Sequence, residues 1–123
     1  MRILIVDDDP AVRRMLRQIV ERNGHMADSA MSYLQARASL AAAPYDLLLT
    51  DYDLGRGTAL GAGSGLDLAE WVVSLSPAMP IVFCTGSADT KLREWARARN
   101  LDVLPKPFVL EDLEGVLARH APR

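Results

Sequence analysis

The feature that most constrains this chain is a set of short apolar runs that do not alternate with polar residues. Ile3-Leu4-Ile5-Val6 is apolar at every position, as are Leu47-Leu48-Leu49 and Ile81-Val82-Phe83-Cys84. A strand with one face in water carries a polar residue at every second position, whereas a strand that is apolar throughout is covered on both faces. Such strands belong to a parallel sheet with helices on each side. The runs also stop on residues that can do chemistry. Asp7-Asp8 follows the first, Thr50-Asp51 the second, Thr85 the third, and Lys106 follows Leu104-Pro105. If the runs are neighbouring parallel strands, these side chains gather along one edge of the sheet.

Strands are expected over residues 2–7, 25–29, 46–51, 80–85 and 102–104, and helices over 10–23, 32–42, 66–74, 89–99 and 110–119. In the first helix Val12, Met15, Leu16, Ile19 and Val20 recur on one face. Asp9 can cap its start, Pro10 suits its first turn, and Gly24 suits its end. Leu68, Trp71, Val72 and Leu75 share one side of the third helix, and Leu110, Leu113 and Leu117 one side of the fifth. Five strand–helix units in series predict an α/β fold: a flavodoxin-like, doubly wound, five-stranded parallel sheet with five helices. Its strand order, 2-1-3-4-5, puts strands one and three side by side and the ligand crevice at their C-terminal ends. The second strand, His25-Met26-Ala27-Asp28, has little β propensity and suits an edge. Residues 55–65, from Gly55 to Gly65, hold five glycines with Thr58 and Ser64. That segment is too glycine-rich for a helix and is expected to be a mobile loop beside the crevice. No Gly-Lys-Ser/Thr follows, so it is not a phosphate-binding loop of that type.

A length of 123 residues predicts one domain over 1–123. Half the residues are hydrophobic and 24% are charged, an ordinary globular composition. The net charge of −2 gives no bulk drive toward nucleic acid. The single cysteine, Cys84, cannot form an internal disulfide, and its apolar neighbours make it a small buried hydrophobe. The apolar start is too short for a signal peptide and no run reaches membrane-spanning length, so a cytoplasmic protein with no membrane contact is expected. His25 and His120 read as surface residues, and Trp71 and Trp95 as partly buried packing residues.

Three carboxylates and a lysine in one crevice carry a cost. Two carboxylates about 4 Å apart repel by roughly 4 kcal/mol at an effective dielectric near 20. A hard divalent cation relieves the repulsion, and oxygen-only ligands suit Mg²⁺ or Mn²⁺. The cluster therefore reads as a metal site beside a nucleophile, with a cation placed for a phosphate.

Taken in order, Asp7-Asp8, Asp51, Thr85 with Gly86, and Lys106-Pro107-Phe108 resemble the receiver domain of two-component response regulators, the chemotaxis-regulator-like superfamily. The resemblance covers the whole chain. It implies that Asp51 accepts a phosphoryl group from a phosphohistidine on a histidine kinase or histidine phosphotransfer protein, in a Mg²⁺-dependent step. Asp8 and Asp51 would bind the metal directly, with the Asp53 backbone carbonyl, and Asp7 through water. Lys106 would pair with the phosphoryl group, and with Asp51 before it arrives; Thr85 would donate its hydroxyl to the phosphoryl group. The Lys106–Pro107 bond would be cis. Such a domain is a signalling switch rather than an enzyme, although it promotes its own phosphorylation and dephosphorylation, and it acts on a downstream protein. The fifth helix is followed by only a few residues, so 1–123 is expected to be a receiver without an output domain, either standing alone or cut from a longer protein.

Two positions depart from the family pattern. Leu54-Gly55-Arg56-Gly57 opens a long glycine-rich segment where a short proline-containing loop is usual. Val103 stands where the family carries an aromatic switch residue, so phosphorylation is expected to change the surface of the fourth helix, fifth strand and fifth helix less than usual. That surface sets Lys91, Arg93, Arg97 and Arg99 against Glu111, Asp112 and Glu114, which read as two solvated helix faces or as the basis of weak self-association. Two other functions compete. One is a receiver-like interaction module that works without phosphorylation. The other is a phosphohydrolase of the haloacid dehalogenase kind, suggested by Asp51-Tyr52-Asp53. The order of motifs argues against it, since there the nucleophile precedes the acidic pair and a threonine is expected where Gly55 stands.

Overall fold

The structure, a computed structural model, describes residues 1–54, 64–86, 90–99 and 101–121. Strands β1 (Arg2–Val6), β2 (Met26–Ala30), β3 (Leu47–Thr50), β4 (Ile81–Thr85) and β5 (Asp102–Pro105) alternate with helices α1 (Pro10–Arg22), α2 (Tyr33–Ala42), α3 (Gly65–Leu75), α4 (Thr90–Ala98) and α5 (Leu110–His120). The strands form one parallel sheet in the order β2-β1-β3-β4-β5. β2 is an edge strand whose inward residues are only Ala27 and Ala30, which accounts for its weak apolar signal.

Side chains alternate across the sheet, as the pleat requires. Ile3, Ile5, Leu47, Leu49, Val82 and Cys84 pack against Leu16, Ile19 and Val20 of α1 and Leu113, Val116 and Leu117 of α5. On the other face Leu4, Val6, Leu48, Ile81 and Phe83 meet Ala36 of α2, Leu68 and Val72 of α3 and Leu92 of α4. Burying each large aliphatic side chain is worth about 1.5–3 kcal/mol, so these two layers hold the strand ends in place.

The helix starts follow from local chemistry. The Asp9 carboxylate accepts a hydrogen bond from the Ala11 N–H at 2.9 Å, and Pro10 takes the first helical position. Gly24, after α1, has φ +84°, in the left-handed region that favours glycine. α3 corrects an expectation: Gly65 is its first residue rather than the end of a loop. Ser64 and Asp67 form a reciprocal cap, with the Asp67 N–H on the Ser64 hydroxyl (3.1 Å) and the Ser64 N–H on the Asp67 carboxylate (2.9 Å). That cap and the burial of Leu66 outweigh the poor helix propensity of glycine at one terminal position. The rest of the expected loop, 55–63, lies outside the described residues. Among the described residues no helix is long and apolar enough to cross a membrane.

Candidate functional site

Register builds the site. Val6 of β1 pairs with Thr50 of β3, so the next residues, Asp7 and Asp51, leave the sheet side by side. The Asp51 N–H donates to the Val6 carbonyl at 2.8 Å, and the Asp7 N–H to the Ala30 carbonyl at 3.2 Å. Across the sheet Thr85 pairs with Pro105, and the Lys106 N–H donates to the Thr85 carbonyl at 2.8 Å. The Lys106–Pro107 bond is cis.

Asp7, Asp8 and Asp51 each offer a carboxylate oxygen within 4.8 Å of the others. Asp7 is 1% exposed and Asp51 9%, while Asp8 faces solvent. The polar atoms of Asp7 are well engaged. Its Oδ1 accepts the Asp9 N–H at 2.9 Å, its Oδ2 accepts the Lys106 ammonium at 2.8 Å, and its carbonyl accepts the Arg13 guanidinium at 2.7 Å. Lys106 also lies 3.7 Å from Asp51 Oδ2, so its shorter contact is to Asp7. The Asp53 N–H approaches Asp51 Oδ1 at a long 3.4 Å, and the Thr50 hydroxyl donates to the Asp51 carbonyl at 3.0 Å. Thr85 is buried at the end of β4.

Burial pushes the Asp51 carboxyl up to about 6, and the negative charges of Asp7 and Asp8 add to it while Lys106 pulls the other way. Burial disfavours the Lys106 ammonium, but the Asp7 hydrogen bond and the charges of Asp51 and Asp7 outweigh that and leave it raised. Cys84, directly before Thr85, is pushed up to about 12 by burial, so it is an inert thiol. Once ionised, three carboxylates face one ammonium and leave two negative charges in excess. An all-oxygen donor set with that excess fits a hard dication such as Mg²⁺.

Beside Lys106, a shallow cavity of about 210 Å³ is lined by Val12, Met15, Pro107 and Phe108. Met15 is 44% exposed and Val109, nearby in the chain, 59%, an apolar margin next to a charged cluster.

Two residues beside the cluster were not foreseen from the sequence. Arg13 carried no signal, because no local pattern ties a side chain of α1 to the Asp7 carbonyl. Gly65 carried a weak one, a glycine following a helix-capping serine.

The sequence profile of the response regulator receiver domain family matches residues 3–118. The chain is 37% identical over 117 residues to the response regulator protein PilR of Pseudomonas aeruginosa, covering 94% of this chain and 25% of that protein. It is 34% identical over 113 residues to the response regulator receiver protein CpdR of Brucella abortus, covering 91% and 89%. The chain thus spans a quarter of the length of PilR and most of the length of CpdR. Among solved structures, the non-phosphorylated HemR receiver domain of Leptospira biflexa superposes with a TM-score of 0.85 at 27% identity, covering 99% of this chain and 96% of that one. With the sheet order and the profile match in agreement, this chain belongs to the response regulator receiver domain family.

Proposed function

We propose that this domain accepts a phosphoryl group on Asp51 from a phosphohistidine of a histidine kinase or histidine phosphotransfer protein, and that the modified domain acts on a downstream protein. A carboxylate oxygen of Asp51 attacks phosphorus, the N–P bond to the donor imidazole breaks, and the imidazole takes up a proton as it leaves. The observation that carries this reading is the convergence of Asp7, Asp8 and Asp51 within 4.8 Å, with Lys106 bonded to the cluster.

Asp8, Asp51 and the Asp53 backbone carbonyl would hold Mg²⁺, with Asp7 acting through water, and the ion would neutralise the carboxylates and the phosphoryl oxygens. Lys106 holds a single ammonium within reach of both Asp7 and Asp51, so it can exchange a carboxylate partner for a phosphoryl oxygen. Thr85 donates its hydroxyl to another phosphoryl oxygen. The nearly buried position of Asp51 limits water access to the acyl phosphate. The apolar margin of Val12, Met15, Pro107 and Phe108 receives the phosphodonor protein. We read the domain as cytoplasmic, as a signalling unit over 1–123 rather than an enzyme with a released product, and as having no nucleic-acid contact of its own at a net charge of −2.

Intact mass after incubation with Mg²⁺ and acetyl phosphate tests the reading. One labile phosphate on the parent, absent from Asp51→Asn, is expected. Repeated turnover of phosphate esters would replace the receiver with a hydrolase. Mg²⁺ binding without any adduct would leave a module that works without phosphate.

A further inference from the structure

Asp51 is held not only by its strand but by the start of α3, whose first residue lies against its peptide. The Gly65 N–H donates to the Tyr52 carbonyl at 2.7 Å. A Cβ added at Gly65 would overlap the carbonyl oxygen of Asp51, and would stand 2.8 Å from its carbonyl carbon and 2.9 Å from Tyr52 Cα. All three are backbone atoms, so no flexible side chain can turn aside. Gly115 differs, with nothing within 4 Å of a Cβ, and Gly86 meets only the Lys106 Cβ at 4.0 Å.

We propose that Gly65 is a positioning residue for Asp51: its missing side chain lets α3 seat on the Asp51–Tyr52 peptide and fix the direction of the Asp51 carboxylate. The proposal rests on the receiver reading of Asp51. The peptide is clamped from several sides. β1 takes the Asp51 N–H, the Thr50 hydroxyl takes the Asp51 carbonyl, and Gly65 takes the next carbonyl. α3 cannot withdraw easily, because Leu66, Leu68, Ala69 and Val72 are buried and Ser64 and Asp67 cap its start. A Cβ at 65 is therefore relieved mainly by a shift of the Asp51 peptide at the open end of β3. A displacement on the order of 1 Å at a reacting group costs roughly a hundredfold in rate. Thr50 acts on the same carbonyl through its hydroxyl and supports the same positioning.

Gly65→Ala is compared with the parent, with Gly115→Ala as a control of the same chemistry away from the site. Three readouts are taken on folded protein: backbone ¹⁵N and ¹³C′ shifts without metal, Mg²⁺ affinity, and phosphorylation rate from acetyl phosphate. In Gly65→Ala the metal-free shift changes should concentrate at residues 51–53, Mg²⁺ affinity should fall about tenfold, and the rate should fall roughly a hundredfold. Gly115→Ala should match the parent in all three. A folded Gly65→Ala with parental shifts at 51–53, parental affinity and parental rate overturns the proposal. If Gly65→Ala does not fold, Thr50→Val, which removes only the hydroxyl on the Asp51 carbonyl, must move the same readouts in the same direction, and parental values there overturn it. Should the parent itself take up neither Mg²⁺ nor phosphate, the receiver reading fails, and the metal-free shift pattern alone decides whether Gly65 positions Asp51.

Discussion

At the scale of single residues, Asp51 is held under electrostatic stress. It is nearly buried, and Asp7 and Asp8 lie close by, while the ammonium of Lys106 is nearer to Asp7 than to Asp51. Its carboxyl, raised to about 6 from an ordinary 3.8, is ionised at neutral pH at a cost to the fold. The folded state keeps a proton between about pH 4 and 6 that the unfolded chain has released, so this contribution to stability is present at low pH and is lost as pH rises through 6. His25 works the other way: burial first, then the N-terminal amine, lower its pKa, and stability is lost as pH falls through its unfolded value. A comparison with Asp51→Asn isolates the carboxylate. In metal-free urea denaturation at pH 7.5 the Asn variant should be more stable by about 1 kcal/mol, after discounting for solvent screening. The difference should shrink toward zero as pH falls from 6 to 4. An unchanged gap across that range, or a less stable variant at pH 7.5, would show that Asp51 is not strained.

At the scale of elements, the helix ends were legible where a side chain closes the local hydrogen bonding. Asp9 announced α1, whereas Ser32, expected as the first residue of α2, proves to be its cap, its hydroxyl accepting the Gln35 N–H at 3.2 Å. Gly65 was misread because a count of glycines says nothing about a reciprocal cap three residues wide. Gly115, in the middle of α5, has no packing partner within 4 Å of a Cβ and is exposed. It contributes backbone freedom to the unfolded chain and nothing visible to the folded one. Gly115→Ala should therefore raise stability by about 0.5–1 kcal/mol in thermal or chemical denaturation. A loss of stability would mean that α5 needs a bare backbone there.

At the scale of the whole molecule, β5 carries a small residue, Val103, between the site and the α4 and α5 surface, where the family resemblance implies an aromatic switch. Val103 is half-buried opposite Phe83 on β4, and Trp95 of α4 meets Phe83 edge-on at 6.0 Å. A valine has no ring to turn inward, so beryllofluoride with Mg²⁺ should shift amides near Asp7, Asp51 and Thr85 strongly and the rest of α4, β5 and α5 weakly. Large shifts over that whole face would defeat this. Part of its charge is already engaged: Arg99 lies over the Trp95 ring at 4.3 Å, and Arg119 and His120 hold Asp102 at 2.7 and 2.9 Å. The sequence by itself determined the two-faced burial of β1 and β3, the doubly wound order, and the gathering of Asp7, Asp8, Asp51 and Lys106 at one sheet edge. Those follow from local apolar runs and from the shared direction of parallel strands. Only the tertiary structure decided that Lys106 bonds Asp7 more closely than Asp51, that Arg13 holds the Asp7 carbonyl, and that α3 begins against the Asp51 peptide. Each joins atoms from different elements at hydrogen-bond range, and distances that short are set by strand register and helix packing, which no local pattern encodes.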